Sequence, residues 1–246
     1  MEEELNKNLV PIPDTFFPVE RFQQHVDLGT TKYFAKGSVV VMPGEATSVI
    51  IYVVSGKLRV DKIIDDGRER LLYYAGQYGL IGRLYETCND IYVMAIEDSR
   101  ICFFSKQQLR EVFRRDEELV FDLLKNYVTK MSYYIKQFAE IDCFSPAVRI
   151  VRLLYELYLT QSIPLEDSYE INIDLSLKNI SEITGAHYVT VSKVLNCLKS
   201  ENILEKKKNK IIIYDSEKLK TLTQGTHIFI QNNYISLSYD MQIFGV

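Results

Sequence analysis

The sequence predicts an α+β protein: an N-terminal β-roll, then a long helix, then a C-terminal domain of short helices and a hairpin. Three observations carry that reading. Seven of the 11 glycines fall within 37–82, interleaved with short β-branched and aromatic runs. No glycine occurs from Ser105 until Gly185, and apolar residues through that stretch recur at helical spacing. Gly185-Ala186-His187 then divides the pattern into two short helical segments.

The runs 38–42, 49–54, 57–64, 70–75, 91–96 and 99–104 read as strands, and Pro43-Gly44, Ser55-Gly56 and Asp65-Asp66-Gly67 supply turns between them. Short strands at this spacing close into a sandwich or barrel, of which the jelly roll, or double-stranded β-helix, is the expected form. Residues 80–84 read as a turn. Ser105 is placed to cap a first helix over 106–113. A longer helix then carries Val120, Leu124, Tyr127, Met131, Tyr134, Phe138 and Ile141 in alternating steps of four and three. Such spacing forms a coiled-coil seam. One roll cannot cover both sides of so long a stripe, so a parallel partner helix from a second copy, and hence a homodimer, is expected. The competing reading is a core helix covered within the same chain. Phe144-Ser145-Pro146 ends the helix, with Pro146 in the first turn of the next, where its missing N–H does no harm.

With 246 residues, 47% hydrophobic and 25% charged, the chain has an ordinary globular composition. No apolar run approaches the roughly 20 residues that span a bilayer. Met1-Glu2-Glu3-Glu4-Leu5 has the wrong charge for a secretory leader, so a cytoplasmic protein with no membrane partner is expected. Cys88, Cys102, Cys143 and Cys197 lie far apart without a CxxC or a Cys/His cluster, which predicts free thiols, no metal and no bound cofactor. A nucleophile elbow, a phosphate-binding loop and paired carboxylates are all missing, so no catalytic residue is assigned and an enzyme is disfavoured. The net charge of −4 is unevenly spread: 149–220 holds 11 Lys/Arg against 10 Asp/Glu, leaving 18 against 22 in 1–148 and Asp240 alone in the tail. Local basic clusters rather than overall charge decide whether nucleic acid is a partner.

Residues 176–204 hold the strongest motif. Helices over 177–184 and from 188 to about 201 flank the break at Gly185. Ile180 and Ile183 on the first, with Val191, Val194, Leu195 and Leu198 on the second, can share a small core in the manner of a helix-turn-helix. The outer N-terminal face of the second helix then presents His187, Tyr188, Val189, Thr190, Ser192 and Lys193. Lys206-Lys207-Lys208-Asn209-Lys210 follows between two short apolar segments and reads as a hairpin wing with four ammonium groups at its tip, suited to phosphates. Helix-turn-helices and lysine turns each occur in proteins that never touch DNA. In this order, after a dimerising helix, they predict double-stranded DNA as partner, because operators need two recognition helices about 34 Å apart and a two-fold dimer provides them.

The segment Ile183-Thr184-Gly185-Ala186-His187-Tyr188-Val189-Thr190-Val191-Ser192-Lys193-Val194-Leu195 resembles the cyclic-AMP receptor / fumarate-nitrate regulator (CRP/FNR) superfamily in length and polarity, and the resemblance covers residues 1–220. More narrowly, Asp14-Thr15-Phe16-Phe17-Pro18, Phe34-Ala35-Lys36-Gly37-Ser38, Leu71-Leu72-Tyr73-Tyr74-Ala75-Gly76 and Leu80-Ile81-Gly82-Arg83-Leu84-Tyr85 are similar to the CprK-type regulators of organohalide respiration. So are Lys125-Asn126-Tyr127-Val128-Thr129-Lys130 and Leu204-Glu205-Lys206-Lys207-Lys208-Asn209-Lys210. The resemblance implies an effector-binding, cyclic-nucleotide-binding-like roll over 1–108, a dimerisation helix over 109–143, a winged helix-turn-helix over 144–220 and a C-terminal extension of unassigned role over 221–246. It further implies RNA polymerase as a partner and activation of reductive dehalogenase genes by ortho-halogenated phenols. Where cyclic-AMP receptors carry Gly-Glu-Leu and an Arg-Ser pair, this chain has Gly82-Arg83-Leu84 and Asn89-Asp90, so a cyclic phosphate would meet Asp90 instead of a guanidinium.

Lys130 and Tyr127 lie three apart on one helix face, with Tyr127 in the seam and Lys130 at its edge, both able to face the roll. Tyr73, Tyr74, Leu80, Ile81, Gly82, Arg83, Leu84, Thr87, Asn89 and Tyr92 are expected to line the same pocket. An ammonium among aromatic rings loses hydration and favours a ligand with a flat apolar body and a negative charge, as a halogenated phenolate has. The effector is thus a small molecule, and no cofactor is called for. For Lys130 the plainer reading is a solvated coiled-coil flank. One of Tyr73 and Tyr74 must face away, because alternate strand residues point to opposite sides. Val189 stands where many relatives carry a glutamate that accepts from cytosine. A valine makes only apolar contacts, such as to a thymine methyl, which predicts an AT-rich inverted repeat with TTAAT-like half-sites. The alternative signals for the same DNA-binding fold are a redox change at Cys197 or Cys88, or another aromatic acid.

Overall fold

The computed structural model describes residues 11–45, 48–65, 67, 69–84, 90–225, 227–231 and 234–238. They form two compact units that divide between Tyr134 and Ile135.

In the first unit a 3-10 helix (Glu20–Leu28) precedes strands β1 (Thr30–Phe34), β2 (Val39–Val41), β3 (Val49–Ser55), β4 (Leu58–Ile63), β5 (Glu69–Ala75), β6 (Leu80–Arg83), β7 (Ile91–Ala95) and β8 (Ser99–Ser105). Helix α1 (Lys106–Arg115) and most of α2 (Glu118–Cys143) complete it. The strands make two four-stranded antiparallel sheets, ordered β1-β8-β3-β6 and β2-β7-β4-β5, the two layers of a jelly roll. Ile51, Val53, Ile81 and Ile101 from one sheet pack with Leu58, Val60, Tyr73, Ala75, Val93 and Ala95 from the other. The alternate residues of β3, Ile50, Tyr52 and Val54, pack outward on Phe22, Leu109, Val112, Leu119 and Leu123. Burial on both faces explains why 49–54 is an unbroken apolar run. α1 starts at Ser105 as expected, with a capping box: Gln108 N–H donates to Ser105 Oγ and Ser105 N–H to Gln108 Oε1.

In this unit two strands escape the sequence reading. β1 is a largely exposed edge strand with little apolar pattern to reveal it. β6 corrects the turn expected at 80–84: residues 80–83 pair in register with Tyr52, Ile51, Ile50 and Val49 of β3, and the glycine that suggested a turn sits inside the strand.

The exposed stripe on α2 is broader than the expected seam, and Tyr134 leaves it. Of the expected seam, Val120, Leu124, Tyr127, Met131, Phe138 and Ile141 are exposed, and Phe121, Val128 and Ile135 are exposed beside them. Tyr127, 40% exposed, lies at the edge of the stripe against Gly82, and Tyr134 turns to the roll, where its Oη donates to the Leu72 carbonyl at 3.2 Å. A phenol with a backbone acceptor in reach is better placed there than in a dry helix–helix seam.

The second unit holds the last turns of α2, then α3 (Pro146–Gln161), β9 (Ile163–Pro164), β10 (Tyr169–Asn172), α4 (Leu177–Thr184), α5 (Tyr188–Ser200), β11 (Leu204–Lys206), β12 (Lys210–Ile213) and α6 (Ser216–Leu222). α3, capped by Ser145 with proline next, is its central helix: Val148, Ile150, Val151, Leu154 and Leu157 are buried, and α4, α5 and α6 pack around it. Arg152 joins it to the end of α2 through both carboxylate oxygens of Glu140 at 2.8 and 2.9 Å. The sheet order β11-β12-β10-β9 makes the wing. The tail, left without a role by its sequence, forms a hairpin of β13 (His227–Gln231) and β14 (Tyr234–Ser238) beside α3 and α5.

Candidate functional site

Lys130 is 7% exposed on the roll-facing side of α2. Its Nζ donates to the Leu80 carbonyl at 2.6 Å and lies 4.6 Å from the ring centroid of Tyr73, 5.7 Å from that of Tyr127 and 5.9 Å from that of Phe16. Among the described residues no carboxylate comes within ion-pair distance of it. Burial pulls its pKa down from 10.5 to about 7. Aromatic faces and one carbonyl compensate a buried ammonium only in part, and an incoming anion would supply the rest. Burial also pushes the phenols of Tyr73 and Tyr127 upward, so both remain neutral hydroxyls.

The expected lining residues divide. Lys130, Tyr127, Tyr73 and Gly82 come together, the glycine because a Cβ there would overlap the Tyr127 hydroxyl. Leu84 is half-buried at the margin of the outer core formed by Phe22, Tyr52 and Leu123. Tyr74 points to the other side of β5 from Tyr73, where Lys57 Nζ sits 5.3 Å from its ring, so it does not join Lys130. Tyr92 stands opposite Asp61 in register, while its neighbour Val93 points into the core with Tyr73. Arg83 ends β6 opposite Val49. Thr87 and Asn89 lie outside the described residues, as does Cys88. Asp90, where a cyclic phosphate would be received, is ion-paired with Lys62, whose hydrogen bond holds its carboxyl below the usual carboxylate range.

Leu80, expected in the lining, contributes its backbone carbonyl, and two contributors were missed: Phe16 arrives from a segment whose two left-handed residues carry no sequence signature, and Asn126 reads as one more polar helix residue. An open groove of about 700 Å³ beside α1, lined by Leu28, Gln107, Arg110, Glu111 and Arg114, is a solvated charged surface without such a buried cation.

In the second unit Gly185 takes the left-handed conformation (φ 64°) that ends α4 and turns the chain into α5. Ile180, Ile183, Val191, Val194, Leu195 and Leu198 are buried together as the spacing predicts. His187, Tyr188, Val189 and Lys193 are exposed on the first turns of α5, with Thr190 and Ser192 half-buried between them. His187 is the N-cap: its Nδ1 accepts from Val189 N–H at 3.3 Å, which leaves Nε2 as the outward donor. The wing is less uniformly cationic than its sequence suggests. Lys210 pairs with Glu170 at 2.6 Å and Lys207 with Glu205 at 3.6 Å, whereas Lys206 donates to the Lys207 carbonyl and Lys208 has no acid partner among the described residues.

A roll with a cation buried among aromatic rings, in a chain that also carries an exposed recognition helix and a wing, defines a ligand-responsive DNA-binding regulator. The model for the cyclic nucleotide-binding domain matches residues 31–116, and that for the Crp-like helix-turn-helix domain matches residues 148–222. A variant of CprK complexed with OCPA is 52% identical, with TM-score 0.85, covering 87% of this chain and 98% of its own. Oxidised CprK in complex with o-chlorophenolacetic acid is 50% identical, with TM-score 0.53, covering 93% and 97%. The cAMP-activated global transcriptional regulator CRP of Haemophilus influenzae is 24% identical over 187 residues, 74% of this chain and 83% of the relative. The chain belongs to the CRP/FNR family of transcription regulators, and within it to the CprK type. Members of this family are dimeric DNA-binding proteins rather than enzymes.

Proposed function

We propose that this regulator binds halogenated phenols at Lys130 and, as a homodimer, activates reductive dehalogenase genes through an AT-rich, TTAAT-like inverted repeat, recruiting RNA polymerase there. The observation that carries the reading is Lys130 itself: a desolvated amine ringed by Tyr73, Tyr127 and Phe16 suits a flat molecule that brings its own negative charge. Ring halogenation lowers a phenol's pKa, so near neutral pH more of it is the anion that the amine favours. That the neighbouring CprK structure holds o-chlorophenolacetic acid supports the same chemical class. Residues 1–108 would serve as the effector domain, 109–143 as the dimerisation helix and 144–220 as the reader. His187, Tyr188, Val189, Thr190, Ser192 and Lys193 would meet base edges or phosphates, with Lys206, Lys207, Lys208 and Lys210 along the backbone.

A redox signal at Cys197 is less well supported, because that thiol is buried and burial pushes its pKa up, away from the reactive thiolate. Calorimetry of ortho-chlorophenol on the wild type and on Lys130→Met tests the reading. Loss of binding in the variant is expected, and undiminished affinity would exclude the role. Operator affinity measured with halogenated phenols, their unhalogenated parents and thiol oxidants separates the phenol signal from the redox one.

A further inference from the structure

We propose that Asn126 is a positioning residue of the effector site: through two backbone carbonyls it holds the left-handed turn at Thr15 and Phe16 that sets the Phe16 ring against Lys130 and Tyr73, and so fixes which ring substituents the site admits. The proposal rests on Lys130 being the effector's anchor.

Asn126 lies one helical turn before Lys130, on the same face of α2, and is fully buried. Its Nδ2 donates to the Phe17 carbonyl at 2.6 Å and the Thr15 carbonyl at 3.4 Å, while its Oδ1 is buried without a partner. Carbonyls only accept, so the amide has one useful orientation and gives up its own acceptor to keep it. The segment it grips is unusual: Thr15 and Phe16 have φ of 53° and 60°, a region that residues with a Cβ, bulky ones above all, seldom enter and that surroundings must enforce. Other bonds tie the turn to β5 and the strand ends. Thr15 N–H donates to the Tyr74 carbonyl at 2.8 Å, Gly76 N–H donates to Thr15 Oγ1 at 2.9 Å, and Lys57 pairs with Asp14 at 2.5 Å. Asn126 supplies the hydrogen-bonded tie to the helix that bears the cation, beside Lys125, whose Nζ lies 4.3 Å from the Phe17 ring centroid. The Phe16 ring consequently stands 5.7 Å from Tyr73 and 5.5 Å from Tyr133, edge-on to both. Without the clamp the turn can relax to an ordinary conformation, which withdraws Phe16 and opens Lys130 to water.

The test uses the full-length protein with Asn126→Ala and Phe16→Leu. One readout is the titration of Lys130 Nζ by heteronuclear NMR without ligand. The other is the ratio of affinities for phenol, ortho-chlorophenol and ortho-iodophenol. The titratable groups facing Nζ are the phenols of Tyr73 and Tyr127, both pushed upward by burial and so silent near neutrality. Asn126→Ala should move the Lys130 titration up from about 7 toward that of an ordinary lysine. It should also flatten the affinity ratio about tenfold, and Phe16→Leu should reproduce both effects. A folded Asn126→Ala protein with an unchanged titration and ratio overturns the proposal. Should that variant fail to fold, Phe16→Leu decides, because it leaves the clamp in place and an unchanged ratio would overturn it equally. If no phenol binds the wild type, the effector reading fails, and the ligand-free titration alone then decides the role of Asn126.

Discussion

The hydroxyl of Tyr127 occupies the space that a side chain at Gly82 would need: a Cβ there overlaps Oη and presses on the ring carbon that bears it. The absence of a side chain on β6 is therefore what lets a residue of α2 lean over the strand and present its ring to Lys130.

Gly82→Ala should displace the Tyr127 ring and weaken effector binding at least about tenfold, or about 1.4 kcal/mol, with the fold retained. Isothermal calorimetry measures it. Adding Tyr127→Phe should recover part of the loss, since the hydroxyl makes the worst contact, and a double variant no better than the single would contradict this account.

Stability should depend on pH through Lys130. Its pKa is 10.5 unfolded and about 7 folded, so between those values the unfolded chain holds a proton the native state has lost. Unfolding free energy therefore rises with pH from about 7 to about 10.5, by on the order of a few kcal/mol, and this contribution is absent below the window. Denaturant titrations of the ligand-free protein across that range should show the rise, and Lys130→Met should lack it and be the more stable of the two at neutral pH.

Effector binding should take up protons. Above about 7 the free site holds mainly a neutral amine, and an ionised phenol entering it favours the ammonium form. Calorimetry at pH about 8 in buffers of different ionisation enthalpy should reveal uptake of up to about one proton with a phenol already ionised at that pH. Uptake should vanish in Lys130→Met.

Replacing an exposed residue in the middle of the α2 stripe should disperse the dimer. Met131→Glu or Val128→Glu places a carboxylate on an apolar surface left uncovered by the described residues, and sedimentation should show monomer at concentrations where the wild type is dimeric. Tyr127→Glu, at the edge of the stripe, should impair effector binding first.

Val189→Glu should change operator preference. Val189 is exposed on the first turn of α5, where a carboxylate could accept from cytosine while valine meets a thymine methyl. Competition binding on half-sites differing at one base pair should show a swing of about 1–3 kcal/mol toward the G·C site.

Much of this protein was legible before its fold was seen. Most strand runs, the capping Ser105, Pro146 at a helix start and the helix-turn-helix core all appear where local chemistry placed them. Leu124, Met131 and Phe138 are shared by two exposed rows, one with Val120 and Tyr127 and one with Phe121, Val128 and Ile135, because both repeat at seven, so the full width of the stripe was not legible. Residues 80–83 looked like a turn because a glycine needed for a close approach is written like a glycine needed for a bend.

The sequence by itself determined the order of parts, the reading helix with its wing, and Lys130 and Tyr127 as neighbours on one helix face, since all of these follow from spacing along the chain. Tertiary structure decided that Tyr73 and not Tyr74 meets the amine, that Phe16 and the Leu80 carbonyl complete its surroundings, and that part of the wing's charge is already paired. The reason is physical: periodicity states which side chains share a face, but which surface that face meets, and which backbone groups wait there, depends on the register of distant strands.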